Sequence, residues 1–547
     1  MNTSSPPFCL GIDIGSVQVK VVVLDVSGTI VFRACRPSQG RSAKNALACV
    51  RELIDERGDE LLVRVGVTGS GRRLFVGEGA RHVNEVMAAA AAVRAVRPNA
   101  STVIDVGGQL SKWIKLGDPN GESIVADFAT NGACAAGSGA FVEQQAQRLK
   151  LDTAVLGTLA AEAARPATVA GRCSVFAKSD MIHLQQKGTP TEEIALGLCF
   201  AMARTFLGTV VASAELDPPV VLVGGAAASP GLVRAFREVA KLEPAEVQAL
   251  DQPVFACAHG AALHAQDCLP IALRDLAIVL EACVEEIERK REQSARLQPL
   301  PALDLDVLTN ETPAAPEGEL EVYLGVDVGS VSTNIVAVSR EFELLHGEYL
   351  ATRGRPSDVL LEGIEALRTR FGDRLRVLGV GTTGSGRHLA AAMLGADVVH
   401  NEITAQMVSA VQFVPDVETI FEIGGQDSKF ISIRDGHLAD FEMNKICSAG
   451  TGSFLEEQAH RLGVSIIGEF AERALRAKAP CDLGTQCTVF MDTELVRAQQ
   501  AGATIDDLCA GLALSVARNY LDRVVARRPV GGSVVFQGGT ASNRAVV

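Results

Sequence analysis

Four cysteines occupy matched places in this 547-residue chain, and their spacing is the first sign of chemistry. Cys134 precedes a glycine-rich helix start in NGACAAGSGAFVEQQAQRL (Asn131 to Leu149), and Cys447 does the same in NKICSAGTGSFLEEQAHRL (Asn444 to Leu462). Cys173, in GRCSVFAKSD, lies 39 positions after Cys134, and Cys487, in TQCTVFMDTE, lies 40 after Cys447. Thiolates are soft ligands suited to zinc or iron-sulfur. A helix start offers unsatisfied N–H groups and the positive end of the helix dipole, which favour a thiolate and an anionic cluster. A single cysteine of this kind reads most simply as a buried core thiol. Two per copy at equivalent positions favour a metal site instead. Neither pair has CxxC spacing, so each half offers two ligands and a four-cysteine site requires the halves to meet. Cys481 has no counterpart and is read as a bystander able to stand in for Cys487, and the other eight cysteines default to core.

Glycine turns form the second constellation. GIDIGS at Gly11, DVGGQ at Asp105 and VGGAA at Val223 each follow an apolar run with an abrupt turn of small or hydroxyl residues. Such turns let backbone N–H groups converge on an anion, and a carboxylate at the strand end can hold Mg²⁺ through water. Taken singly, each is no more than a hairpin turn. Three in this order describe a nucleotide cradle, and no GxxxxGK[ST] is present to make it a P-loop.

The elements that position these residues come twice. GIDIGS returns as GVDVGS at Gly325, TGSGRR at Thr68 as TGSGRH at Thr383, DVGGQ as EIGGQ at Glu422, and VGGAAAS as QGGTASN at Gln537. Offsets stay between 313 and 317, so the chain is a tandem duplication. Within a copy, residues 8 to 33 read as three strands, Ser42 to Arg57 as a helix, Arg64 to Arg73 as a strand ending in a glycine turn, and Asn84 to Val96 as a helix. Ser101 to Thr130 gives further strands with Pro119-Asn120-Gly121 as a hairpin turn, and Val220 to Gly225 a buried strand, so the class is mixed α/β. The expected modules are residues 8–267 and 322–547, joined by a helix and a Pro/Ala/acid-rich linker over 268–321. The second copy stops five residues after Ser542, which is expected of a fragment cut from a longer polypeptide.

Composition narrows the class. Hydrophobic residues make up 47% and charged ones 21%, so packed cores rather than disorder are expected. A net charge of -14 with no basic stripe argues against nucleic acid as partner. No run of 18 or more uncharged apolar residues stands out, which points away from a membrane and to a cytoplasmic protein with mostly reduced thiols.

With these motifs the chain resembles the acetate and sugar kinase, heat-shock chaperone and actin superfamily, which implies an actin-like (ribonuclease H-like) ATPase fold, here in two copies. By that resemblance Asp13, Gly15, Ser16 and Lys20 belong to the first phosphate loop, Asp105, Gly107, Gly108 and Gln109 to the second, and Gly224 and Gly225 to the adenosine turn. The second copy places Asp327, Gly329, Ser330, Glu422, Gly424, Gly425, Gln426, Asp427, Lys429, Gly538 and Gly539 correspondingly. Asp13, Asp105, Asp327 and Glu422 are the carboxylates expected to order Mg²⁺ or water for hydrolysis.

The combination of GGQDxK, CxAGTGxF and CTVF is more specific. It resembles the activator (component A) family of 2-hydroxyacyl-CoA dehydratases and the ATP-binding subunits of benzoyl-CoA reductases, over nearly all of 8–267 and 322–547. In that family a homodimer holds one 4Fe-4S cluster, two cysteines per subunit, and ATP-driven closure passes an electron to a dehydratase or reductase. The resemblance implies one cluster on Cys134, Cys173, Cys447 and Cys487 within an intramolecular pseudo-dimer, a ferredoxin- or flavodoxin-like donor, and an acyl-CoA dehydratase or reductase acceptor. It also implies an anaerobic setting. Moving one electron uphill by roughly 300 mV costs about 7 kcal/mol, which explains the coupling to ATP.

Departures from the pattern make the halves unequal. Leu110 stands where copy two has Asp427, Glu422 replaces Asp105, and Asn334 replaces Lys20. Two other functions fit the same residues: a phosphoryl-transferring kinase of the same fold, for which no substrate pocket or base is identifiable, and a scaffolding module whose cysteines hold zinc.

Overall fold

The β-branched runs become strands at the expected places in the computed structural model of the chain, which describes residues 8–75, 79–118, 123–132, 134–171, 173–212, 214–292, 297–301, 318–352, 354–444 and 447–547. The turn at Pro119-Asn120-Gly121 and most of the Pro/Ala/acid-rich linker fall outside those residues. The chain divides into two compact units: Met1–Arg296 with Gln486–Thr504, and Leu297–Thr485 with Ile505–Val547.

In the first unit, Phe8–Ile14 (β1), Gln18–Leu24 (β2) and Ile30–Pro37 (β3) form an antiparallel meander, because Gly15-Ser16 and Ser27-Gly28 interrupt the β-branched runs. The helix Ser42–Arg57 returns the chain to Leu62–Thr68 (β4), which lies parallel to β1 and pairs with the short Ala80–His82 (β5). Asn84 accepts a hydrogen bond from the Val86 N–H and caps the next helix, Glu85–Val96. A second sheet repeats the plan. Thr102–Val106 (β6), Ser111–Leu116 (β7) and Val125–Thr130 (β8) form the meander, Val220–Val223 (β9) runs parallel to β6, and Val247–Ala249 (β10) runs parallel to β9. Ile271–Ala272 (β11) closes the edge of the first sheet.

The second unit uses the same order. Leu320–Val328 (β12), Ser332–Val338 (β13) and Leu344–Ala351 (β14) make the meander, with Leu375–Thr383 (β15) parallel to β12 and Val398–Val399 (β16) beside it. Its second sheet is Thr419–Ile423 (β17), Ser428–Arg434 (β18) and His437–Met443 (β19), with Val534–Gln537 (β20) parallel to β17. All four sheets therefore share one arrangement, third strand, second, first, fourth, and among those four strands only the first–fourth pair is parallel. That arrangement, two sheets per copy, is the duplicated actin-like plan.

Apolar faces hold each layer. In the first unit Trp113, Phe141, Met202, Phe206 and Phe236 are buried together, and the Phe206 and Phe236 rings meet edge to face at 5.5 Å. Each such side chain contributes about 1.5–3 kcal/mol by leaving water. The helical stretch Thr191–Val211 is long and apolar enough to span a membrane by length and composition, although Glu192, Glu193 and Arg204 keep it from being an uncharged run. It is 67% buried over its most apolar window and serves as a core helix.

One segment lies outside the order of the repeats. Gln486–Thr504, second-copy sequence, is part of the first unit. There Cys487, Val489 and Phe490 pack with Ala135 and Ala140.

Candidate functional site

Each sheet carries a carboxylate one residue before the end of its first strand, and strand register decides what faces it. Asp13 lies opposite Lys20, Asp105 opposite Lys112, Asp327 opposite Asn334, and Glu422 opposite Lys429. On the other flank, the fourth strand ends in a left-handed glycine. A methyl group on Gly69 (φ +93) would lie 2.5 Å from Asp13 Oδ1, and one on Gly224 (φ +91) 2.5 Å from Asp105 Oδ1. Gly384 stands in the same way 2.4 Å from Asp327 Oδ1, and Gly538 3.0 Å from Glu422 Oε1. Glycine is required here twice over, by the positive φ and by the closeness of the carboxylate.

The turns that follow carry the expected glycines and meet within each unit. Gly15 and Ser16 join β1 to β2, and Gly107, Gly108 and Gln109 join β6 to β7. Val17 at the first tip packs against Gly108 at the second, as Val331 packs against Gly425. Gly224 and Gly225 close β9, with Gln18 Oε1 3.9 Å from the position of a Gly225 side chain. Gly329, Ser330, Gly424, Gly425, Gln426, Gly538 and Gly539 hold the equivalent turns of the second unit. The loop backbones are pinned by hydroxyls: Ser38 donates to the Gly15 carbonyl at 2.7 Å, and Thr352 to that of Gly329 at 2.9 Å. Gln109 donates to Thr493 Oγ1 at 3.3 Å.

Electrostatically the two sites differ. In the first, Lys20 Nζ is 3.1 Å from Asp13 Oδ2, and the buried Lys112 bridges Asp105 (2.7 Å) and Glu85 (3.0 Å). Burial works against the Lys112 charge, but Asp105, with Glu85 adding, holds its pKa above the ordinary lysine value. Cys257, on the helix Ala256–Leu263, donates from Sγ to Asp105 Oδ2 at 3.7 Å, and burial followed by Asp105 pushes its pKa well above that of an ordinary thiol. In the second site Lys429, only 2% exposed, is the one ammonium within reach of Glu402 (2.8 Å), Asp427 (3.0 Å) and Glu422 (3.1 Å) among the described residues. Asn334 offers Asp327 a neutral contact at 3.4 Å. Burial raises Asp327 above the usual carboxylate range and pushes Glu422 up to about 7. The first site sets three carboxylates against two ammoniums, and the second four against one. Leu110, at the place of Asp427, is 37% exposed and offers no ligand.

Cys134 and Cys447 are tied to the glycine turns. The Gly139 and Ala140 N–H groups donate to the Gly107 and Gly108 carbonyls, both at 2.8 Å, and Gly452 and Ser453 donate to Gly424 and Gly425 at the same distances. Here the structure corrects the sequence argument. The opening amides of the helices Gly139–Arg148 and Gly452–Leu462 are spent on the neighbouring turns, and each cysteine instead precedes a short 3-10 turn, Ala135–Gly137 or Ser448–Gly450. The asparagine of NGAC and NKIC adds a second tie. Asn131 accepts from the Ser111 N–H at 2.7 Å and donates to the Gln109 and Cys134 carbonyls, while Asn444 accepts from Ser428 at 2.8 Å and donates to the Cys447 carbonyl at 3.0 Å. Cys173 is placed through Ser174, which bonds to both Gln144 and Gln145 and accepts from Arg148 at its carbonyl at 2.9 Å.

The four cysteines stand in no disulfide. Among the described residues no three His, Cys, Asp or Glu side chains gather into a metal cage. The donor type fits a thiolate-held centre. Sequence reasoning used TGSG only as a marker of the repeat; the structure gives Gly69, Gly384, Glu85 and Glu402 roles beside the carboxylates. Cys257, Tyr520 and Arg523 carried no motif at all.

The family model described as the BadF/BadG/BcrA/BcrD ATPase family matches residues 10–265 and 324–547. The 2-hydroxyisocaproyl-CoA dehydratase activator of Clostridioides difficile is 31% identical, over 48% of this chain and 95% of that protein. A component of the benzoyl-CoA reductase of Thauera aromatica is 29% identical, over 46% of this chain and 91% of that protein. Among solved structures, the Clostridium difficile activator of 2-hydroxyisocaproyl-CoA dehydratase with bound ADPNP aligns at 27% identity and a TM-score of 0.42, covering 53% of this chain and 99% of that one.

Proposed function

This chain belongs to the BadF/BadG/BcrA/BcrD ATPase family, and from that premise we propose that it is an ATP-driven activator that delivers single electrons to an acyl-CoA dehydratase or reductase. Relatives named as dehydratase activators and as a benzoyl-CoA reductase component support the activator role. One electron enters from a reduced ferredoxin- or flavodoxin-like donor and leaves to the acceptor. ATP and water give ADP and phosphate.

The observation that carries this reading is the pair of ties in each unit between phosphate turn and cysteine loop, Gly139 to Gly107 with Asn131 to Cys134, and Gly452 to Gly424 with Asn444 to Cys447. A turn that closes on a phosphate group draws the cysteine loop with it. Asp13, Asp105, Asp327 and Glu422 would hold Mg²⁺, which would neutralise charge on the phosphates, and the glycine-turn amides would bind phosphate oxygens. Cys134, Cys173, Cys447 and Cys487 would hold a 4Fe-4S cluster, which supplies one-electron chemistry. The packing of Cys487 on Ala135 brings second-copy sequence beside the Cys134 loop within the first unit.

Anaerobic purification followed by iron and sulfide counting and electron paramagnetic resonance tests the proposal. Cys134→Ala and Cys447→Ala are each expected to damage the same signal. Bound zinc without iron, in a chain that hydrolyses ATP, overturns it.

A further inference from the structure

The second unit joins its phosphate hairpin to its cysteine by side chains as well as backbone. The helix Ile505–Tyr520 runs into a π-turn, Leu521–Val525, closed by the Ala526 N–H on the Leu521 carbonyl at 2.7 Å, with Ala526 at φ 53. Single π-turns inside helices recur at functional sites, and a non-glycine residue at positive φ persists only where its surroundings hold it. At the top of this turn the buried Tyr520 donates its hydroxyl to the Lys429 carbonyl at 2.8 Å, on the strand whose side chain gathers Glu402, Glu422 and Asp427. Tyr520 also backs the cysteine loop: a methyl group on Gly450 would lie 3.2 Å from the Tyr520 nitrogen. Within the turn, Arg523 Nη1 donates to Cys447 Sγ at 3.1 Å, and Nη2 to the Thr485 carbonyl at 3.0 Å.

The first unit repeats the π-turn, Leu207–Val211, and the positive φ at Ala212, but not these contacts. Phe206 stands at the place of Tyr520 and packs on Phe236, without a hydroxyl. Thr209 stands at the place of Arg523 and donates back to the Thr205 carbonyl of its own helix at 2.7 Å. The backbone frame is common to both copies, whereas among the described residues the Tyr520 and Arg523 contacts belong to the second.

We propose that Tyr520 and Arg523 are positioning residues that carry the nucleotide state of the second unit to the Cys447 sulfur, through contacts that Phe206 and Thr209 do not make in the first copy. The proposal rests on reading the Lys429 hairpin as a nucleotide site. A guanidinium hydrogen-bonded to sulfur sets both its position and its local charge, and a phenol fixed to the hairpin backbone moves with that hairpin.

The test follows alkylation by iodoacetamide at Cys447 and Cys134 in the full chain stripped of metal by a chelator that is then removed, read by peptide mass spectrometry with and without ADPNP and Mg²⁺. In the unaltered chain the nucleotide is expected to change the Cys447 rate at least about fivefold, the lower end of ordinary coupling between sites, and Tyr520→Phe or Arg523→Gln to reduce that change below about twofold. Arg523→Lys, which keeps the charge, retains part of it. The Cys134 response stays as it was in every variant. Equilibrium dialysis of ADPNP runs in parallel. Variants that bind ADPNP and keep the full Cys447 response overturn the proposal, as does bound nucleotide with no Cys447 response in the unaltered chain, or a parallel loss at Cys134. Failure of ADPNP to bind the unaltered chain overturns the nucleotide reading itself.

Discussion

Asn444 donates to the carbonyl of Cys447 at 3.0 Å while its own side-chain oxygen accepts from the amide that opens β18, so one amide side chain spans the phosphate turn and the cysteine loop. Replacing it with alanine strands the Ser428 N–H and the Cys447 carbonyl. A buried group left without its partner costs about 1–3 kcal/mol. Asn444→Ala is therefore expected to lower the stability of the second unit by that amount in urea unfolding, and Asn131→Ala to do the same in the first. Asn444→Asp keeps the acceptor and is expected to lose less.

Lys429 answers three carboxylates, and Lys20 answers one. Lys429→Met leaves Glu422 and its neighbours buried and uncompensated, a change that costs about 3–5 kcal/mol when one partner of a buried pair is removed. Thermal unfolding near neutral pH is expected to show a larger loss for Lys429→Met than for Lys20→Met, whose pair is partly open to water. Adding Glu422→Gln to Lys429→Met is expected to restore part of the loss.

The carboxyl of Glu422 gives the second unit a pH signature. Burial chiefly raises it from 4.5 to about 7, with Lys429 opposing and Asp427 and Glu402 adding. The folded chain thus keeps a proton that the unfolded chain has already released. Its stabilising contribution, ~3 kcal/mol at most, is complete below the unfolded value and is lost as pH rises through about 7. In the presence of a chelator, the melting temperature of the second unit is expected to fall between about pH 5 and pH 8, and Glu422→Gln to flatten that slope. An unchanged slope in Glu422→Gln would assign the titration to another group.

Much of this architecture was legible in the chain. The helix Ser42–Arg57 begins and ends where its spacing places it, and β1, β6, β12 and β17 carry the carboxylates of their motifs one residue before their ends. Local patterns carry that information because the alternation of β-branched residues and the glycine turns act over a few residues. The thiol chemistry was legible only in part. The helix-start argument placed Cys134 and Cys447 correctly before glycine-rich turns, but it could not foresee that Gly107 and Gly424 would take up the opening amides.

By itself, the sequence determined the duplication, the sheet-forming runs, the glycine turns with their carboxylates and the four matched cysteines, because each is written in residue type and interval. Tertiary structure alone decided the partners across the chain: Lys429 among three acids, Cys257 on Asp105, Tyr520 on the Lys429 carbonyl, Arg523 on Cys447, and the second-copy helix Thr488–Gln500 in the first unit. Cys257 and Asp105, for one, are 152 positions apart in the chain. No periodicity records such contacts, since they follow from how strands align and which apolar faces find each other. The two copies share a pattern, and single substitutions such as Phe206 for Tyr520 and Thr209 for Arg523 set their sites apart.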